Sequence, residues 1–328
     1  MNRKINALFL IAAAIVFLGT GCQKKDLASG NTIKIFYAAI EDGDYYEGWA
    51  EQLQQQAKSY GMALEAGYAQ NSVETQHSQI KKAVAEEYDV LLCGLVSADT
   101  VTEIKAAAGT TPIVFINNAP EDTALQKDHY VYVASDEYMA GQYQAEYILE
   151  QFSSKNEISV AILKGPKGAS GTIGRTKGLK QTLNASGKQI QYVFEDYADW
   201  NTDTAKELTA LFLKTGRKVD CVAANNDDMA LGAFAAFEQA GVNMDSVLFL
   251  GVDASAGGCQ AIVDGKLDFT VYQPMSDQIS AAVEAAQRLA LGESVSDIEG
   301  AQEDGKYILI PFEKVDSSNV SNYQQQSE

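Results

Sequence analysis

The chain has 328 residues, 21 % of them charged, and a formal net charge of -19 at pH 7. So acidic a surface repels phosphate backbones and anionic headgroups, which argues against nucleic acid as a partner. The roughly 300 residues beyond the leader are more than one hydrophobic core usually serves, so two lobes are expected.

The leader comes first. Asn2-Arg3-Lys4 precede an unbroken apolar run from Ala7 to Leu18, closed by Gly19-Thr20-Gly21-Cys22. A basic start, a short apolar core and small residues make a secretory signal, and the run is shorter than the roughly 18 to 20 residues of a membrane span. The ending resembles the lipobox of bacterial lipoproteins, in which Cys22 is lipidated and becomes the mature N-terminus. Left uncleaved, the segment would be a membrane anchor and would place the same body in the same extracytoplasmic compartment. Loss of Arg3 and Lys4 takes the side-chain charge to -21. Cys93, Cys221 and Cys259 remain, an odd number, with Cys93 and Cys221 in apolar runs; buried thiols are expected rather than a disulfide framework.

Residues 23–31 are polar, without periodicity, and read as a tether. Short apolar runs then alternate with amphipathic ones: strand 33–37, helix 49–60, strand 62–68, helix 73–86, strand 90–93, a helical end at 103–108 and strand 112–116. The order repeats with strand 158–163, helix 174–185, strand 190–194, helix 202–215, strand 219–224, helix 229–240 and strand 247–250. A strand at 269–273, a helix at 276–291 and a strand at 307–311 complete the body, and the polar stretch after Val315 reads as frayed. Such alternation predicts an α/β fold of two doubly wound, parallel-sheet lobes. No Pro- or Gly-rich linker separates the halves, so several direct crossings acting as a hinge are expected.

Catalytic chemistry finds little support. His77 and His129 have no partner at metal-ligand spacing and read as solvated surface residues, and no GxSxG elbow occurs. The run Gly165 to Gly174 lacks the ending of a phosphate-binding loop and reads as a tight turn carrying Arg175 toward a cleft. In each half the last strand of the repeat ends on a single polar group, Asn117 after Phe115-Ile116 and Asp253 after Gly251-Val252, where open α/β sheets border their ligand crevice. Asn225-Asn226-Asp227-Asp228 sits at a strand-to-helix junction; one such residue suffices for a helix cap, and here there are four. Tyr45, Tyr46 and Trp200 lie in Asp- and Gly-rich loops, as core residues or as stacking surfaces for a guest.

Taken in order, Pro112–Asn117, Tyr132–Asp136, Leu163-Lys164-Gly165, Asp199–Thr202, Ala224–Asp227 and Gly251–Ala254 resemble the type I periplasmic sugar-binding proteins, and among them the galactose/glucose-binding members, over about Ile33 to Val315. The resemblance implies two lobes joined by three crossings near Ser135, Gln273 and Tyr307. The lobes would be 32–135 with 274–306, and 136–273 with 307–318, followed by a flexible tail over 319–328. Hydroxyl-binding groups carry over to Asn117, Asn226 and Asp253, the cleft arginine to Arg175 and an amide to Gln273. Trp200 would stack on one sugar face and Tyr45 or Tyr46 on the other; Asp42 and Asp44 both stand where an acidic residue precedes the first aromatic. Ala169 and Gly171 replace a histidine and an aspartate of the galactose/glucose members, and the short 153–157 stretch has no calcium loop, so no metal and no cofactor is expected. The resemblance implies a monomeric, lipid-anchored binding protein that passes a small sugar or polyol to an ABC permease; the alternative is a sensor presenting its closed form to a membrane histidine kinase or chemoreceptor.

Overall fold

The structure is a computed structural model that describes residues 32–244 and 246–324; Cys22 and the leader lie outside the described residues. The chain begins with β1 (Lys34–Ala39), α1 (Asp44–Ser59), β2 (Ala63–Tyr68), α2 (Val73–Ala85), β3 (Val90–Gly94), α3 (Val101–Ala108), β4 (Ile113–Ile116) and β5 (Tyr130–Ala134). It continues through α4 (Glu137–Gln151), β6 (Glu157–Lys164), α5 (Ser170–Ala185), β7 (Gln189–Tyr197), α6 (Thr202–Leu213), β8 (Cys221–Ala224), α7 (Asp227–Gln239), β9 (Leu248–Leu250), α8 (Ala256–Val263) and β10 (Phe269–Tyr272). The last elements are α9 (Met275–Ala290), β11 (Tyr307–Leu309) and β12 (Glu313–Asp316).

Two six-stranded sheets result, ordered β11-β5-β4-β3-β1-β2 and β12-β10-β9-β8-β6-β7. Apart from β12, which runs antiparallel to β10, the pairings are parallel. Parallel strands need helices on both faces, and the alternation of side chains shows it. Along β1, Ile35, Tyr37 and Ala39 enter one apolar core, while Phe36 and Ala38 enter the core on the opposite face. The helix α1 covers the first of these with Trp49, Leu53 and Ala57, buried at four-residue spacing.

The chain passes from the first lobe to the second at Ser135–Asp136, between β5 and α4, and returns at Gln273–Pro274, between β10 and α9. The third crossing departs from expectation. Tyr307–Leu309 pairs with Tyr132–Ala134 in the first sheet and therefore belongs to that lobe, so the chain crosses at 310–312. A hydrophobic run is compatible with the edge of either sheet, and the pairing decides it. The tail also differs: Val320 and Tyr323 are buried, and Tyr323 donates to Glu313 at 2.6 Å and sits 5.1 Å from Tyr272, so 319–324 dock on the second lobe. Two apolar side chains in an otherwise polar stretch suffice for that.

The run Gly165 to Gly174, read as a tight turn, is already helix from Ser170 onward. Glycines on both helices bring α5 and α4 into close approach: a Cβ on Gly178 of α5 would lie 2.0 Å from the Tyr138 carbonyl oxygen, and one on Gly141 of α4 would lie 1.8 Å from that of Arg175. Gly141→Ala must push these helices apart, and overpacking of this kind costs about 1–3 kcal/mol. A urea titration is expected to show the lowered midpoint; an unchanged midpoint would mean that the approach is not a constraint.

Candidate functional site

The side chains that meet between the lobes come from the carboxyl ends of parallel strands. Asn117 follows β4, Gly165 follows β6, Asn225 and Asn226 follow β8, Asp253 follows β9 and Gln273 follows β10. Arg175, on α5, is 5 % exposed and organises the second lobe's share. Its Nε donates to Glu137 at 2.6 Å, one terminal nitrogen to the Asn225 carbonyl at 2.6 Å and to Asp253 at 3.2 Å, and the other to Gln273 at 3.1 Å and Glu137 at 3.5 Å. A guanidinium has five N–H donors, and each has an acceptor here. Arg175 is thus a brace whose acceptors hold the carboxylate and amide groups in place.

Trp200 stands beside the brace, its ring centroid 5.6 Å from the Arg175 guanidinium carbon. Asp199 and Trp200 both adopt positive φ, of 54° and 60°, and Asn201 caps α6 by accepting from Thr204 N at 2.9 Å, so a tight turn delivers the indole. Gly165 makes room for it, since a Cβ there would lie 2.2 Å from the ring.

From the first lobe come Asn117 and Tyr45. Asn117 Nδ2 donates to Tyr45 Oη at 3.4 Å, while its buried Oδ1 has no partner within the protein. Tyr132 Oη and Ser170 Oγ, the latter from the other lobe, donate to the Asn117 carbonyl at 2.8 and 3.1 Å, and Ser170 N reaches Asn118 Oδ1 at 3.3 Å. Tyr45 is 46 % exposed yet feels Asp253, Arg175 and Glu137 electrostatically; burial and then the Asp253 charge push its hydroxyl up to about 12. A ring surrounded by charges of the opposite lobe but still open to solvent lines the gap between lobes.

The expected residues are therefore only partly assembled. Tyr45, Asn117, Arg175, Trp200, Asp253 and Gln273 converge. Tyr46 packs on the first lobe's core and contacts Tyr45 edge-on, with centroids 5.1 Å apart. Asp42 is exposed, with its field acting on Tyr68 rather than on the Arg175 group. The Asp44 side chain lies outside what the structure describes. Asn226 is buried and caps α7 by accepting from Met229 N at 3.0 Å. Sequence reasoning missed Glu137, whose position in the first turn of α4 reads as an ordinary acidic helix start. It also missed the bridging pair Ser170 and Asn118, for which no sequence signal exists. Among the described residues no group of His, Cys, Asp and Glu could hold a metal, and His77 and His129 are half-buried rather than fully solvated.

Residues 33–294 match the periplasmic binding protein domain. The chain belongs to the type I periplasmic sugar-binding family. It is 31 % identical over 267 residues to a putative rhizopine-binding protein of Rhizobium meliloti, covering 80 % of this chain and 83 % of that one. It is also 31 % identical over 300 residues to a xylitol-binding protein of Mycolicibacterium smegmatis, covering 90 % of this chain and 83 % of that one. Among solved structures, an ABC transporter solute-binding protein of Bacillus halodurans with bound myo-inositol superimposes with a TM-score of 0.76 at 27 % identity, covering 90 % and 98 % of the two chains. The family binds sugars and polyols, and these relatives are binding proteins rather than enzymes.

Asp253 gives the site a pH signature. Burial raises its carboxyl to about 6, with Arg175 pulling it down and Glu137 pushing it up. Hydroxyl donors favour the ionised form, so affinity for a polyol is expected to fall as pH drops through 6, by at most about tenfold per unit. The same raised carboxyl weakens folding as pH rises from its unfolded value near 4 toward 6. Calorimetry between pH 8 and 5 checks the affinity; a profile flat to pH 5 would remove Asp253 from the contact set.

Proposed function

We propose that the protein is an extracytoplasmic solute-binding protein, tethered through a lipidated Cys22, that captures a small polyhydroxylated ligand and delivers it to an ABC permease. The observation that carries this reading is the convergence of Tyr45 and Asn117 from one lobe on the Asp253, Arg175 and Gln273 group of the other. A cyclic polyol presents C–H faces to rings and donor–acceptor hydroxyls around its rim, which suits Tyr45 and Trp200 as plates and Asp253, Asn117, Asn226 and Gln273 as rim partners.

Arg175 acts in this reading by holding acceptors rather than by direct donation. Its five donors are already committed, so a guest meets the unoccupied side of Asp253, whose side chain is 36 % exposed. Micromolar binding corresponds to about -8 kcal/mol, within reach of a few charge-assisted hydrogen bonds and two stacking faces. A guest touching both lobes favours their closed arrangement, the form recognised by a permease. Xylitol and myo-inositol, bound by relatives according to their descriptions, and D-galactose are the first candidates.

Isothermal titration against these three compounds and a wider panel of sugars and polyols tests the reading. At least one is expected to bind, with Trp200→Ala weakening it about tenfold and Asp253→Ala by more, since a charged hydrogen-bond partner is worth about 1.5–3 kcal/mol. Affinity untouched by both substitutions would overturn the site. Ser170→Ala, which removes a hydroxyl bridge between lobes without touching the rings, is expected to weaken binding only a few-fold, about one neutral hydrogen bond.

A further inference from the structure

The turn that carries Asp253 is strained. Asp253 and Ala254 are non-glycine residues at φ of 113° and 49°, conformations that persist only where their surroundings enforce them. What lies beneath this turn is a carboxylate with no part in the contacts described above. Asp227, the first residue of α7, is 1 % exposed and cannot touch a guest.

Its hydrogen bonds all run to the segment around Asp253 or to the strand beneath it. Asp227 N donates to the Val252 carbonyl at 2.9 Å. One carboxylate oxygen accepts from Ser255 N at 2.8 Å and Ser255 Oγ at 3.0 Å; the other accepts from Thr270 Oγ1 at 2.6 Å. Thr270 Oγ1 in turn accepts from Ala254 N at 3.2 Å. Asp227 thus fastens the residue before Asp253 and, directly or through Thr270, the two residues after it. The enclosure is shaped around this group: a Cβ on Gly251 or on Gly258 would lie 2.1 Å from one of its oxygens. A buried acid without a charged partner is costly; among the described residues no ion pair compensates this one, and burial and then the Asp253 charge raise its carboxyl to about 8, so its retention calls for a reason. Ser255 donates twice to one oxygen, and the other shares a hydrogen bond with the Thr270 hydroxyl, so removing the side chain frees both Ser255 and Thr270.

We propose that Asp227 is a positioning residue for ligand binding: through Ser255 and Thr270 it holds the strained 252–255 turn so that the Asp253 carboxylate faces the cleft. The proposal rests on the reading of Asp253 as a ligand group. It assigns Asp227 a role beyond capping α7, a task that Asn226 already performs.

The test compares Asp227→Ala, Thr270→Val, Thr270→Ser and Asp253→Ala, using titrations with xylitol, myo-inositol and D-galactose, thermal melting, and amide hydrogen exchange of the 252–256 segment. Asp227→Ala and Thr270→Val are expected to lower affinity about tenfold and to speed exchange in that segment. Thr270→Ser, which restores the hydroxyl, should return both to within about twofold of wild type. A brace of the lobe alone would lower the melting temperature while leaving affinity and local exchange unchanged, and that result overturns the proposal. If Asp227→Ala does not fold, the Thr270 pair decides. If Asp253→Ala binds as wild type, or neither these three compounds nor any of the wider panel binds the wild type, the site reading fails on its own account, and exchange in the Thr270 pair still reports whether the turn is held from below.

Discussion

A buried guanidinium must find acceptors for all its donors, and Arg175 finds them in groups that no short segment of the chain could supply together. Glu137 lies just after the first crossing between lobes, Gln273 lies in the second, and Phe312, 6.0 Å from the guanidinium carbon, lies in the third. Asp253 and the Asn225 carbonyl come from the ends of two neighbouring strands. One side chain thus ties the Asp253 carboxylate to each of the segments that cross between the lobes. Taking such an ion out of water costs several kcal/mol unless its partners are complete, so loss of any acceptor disturbs the remainder. The geometry of the site and the geometry of the hinge are held by the same charge.

That dependence explains why the helices α4 and α5 meet so closely. Glu137 opens α4 and Arg175 lies in the second turn of α5, and only the glycines at the contact let the backbones approach near enough for a 2.6 Å ion pair. With Glu137 spent on the guanidinium, Asp253 shares the remaining positive charge and keeps one side open. The acidic character of the chain as a whole is therefore continued inside the cleft, where carboxylate outnumbers free cation. Such a cleft accommodates hydroxyl donors more readily than anions.

Much of this was legible in the sequence for a definite reason. Strands that end on a single polar residue, as at Ile116-Asn117 and Val252-Asp253, announce where a parallel sheet borders its crevice, and Trp200 in a polar loop announces a presented ring. Elements whose meaning depends on a distant partner were not legible. The strand β5 and helix α4 carry neither clean alternation nor a strong apolar stripe, so Glu137 had no frame. The meeting of α4 and α5 over Gly141, Gly174 and Gly178 was not legible, because a helix contact that needs small residues cannot be seen from one helix alone. Tyr307–Leu309 could pair with either lobe, and Val320 and Tyr323 looked too few to anchor a tail.

Backbone strain is the remaining property that composition hides. Asn117, Trp200 and Asp253 all sit at positive φ, each at the end of a strand or in the turn that follows one, and each such conformation costs about 1–3 kcal/mol in isolation. Three such residues in one site imply that the scaffold beneath them is stiff enough to enforce the conformation. The supports are visible: Tyr132 and Ser170 on the Asn117 carbonyl, the Asn201 cap behind Trp200, and Asp227 with Thr270 under Asp253. A parallel sheet delivers its side chains along the strands, whereas a guest between two lobes must be met from the sides. Turning the backbone at the strand's end redirects an amide, a ring and a carboxylate into the gap. The strain is thus the local cost of turning three residues toward the gap between the lobes, and it is carried by polar contacts buried beneath the turns.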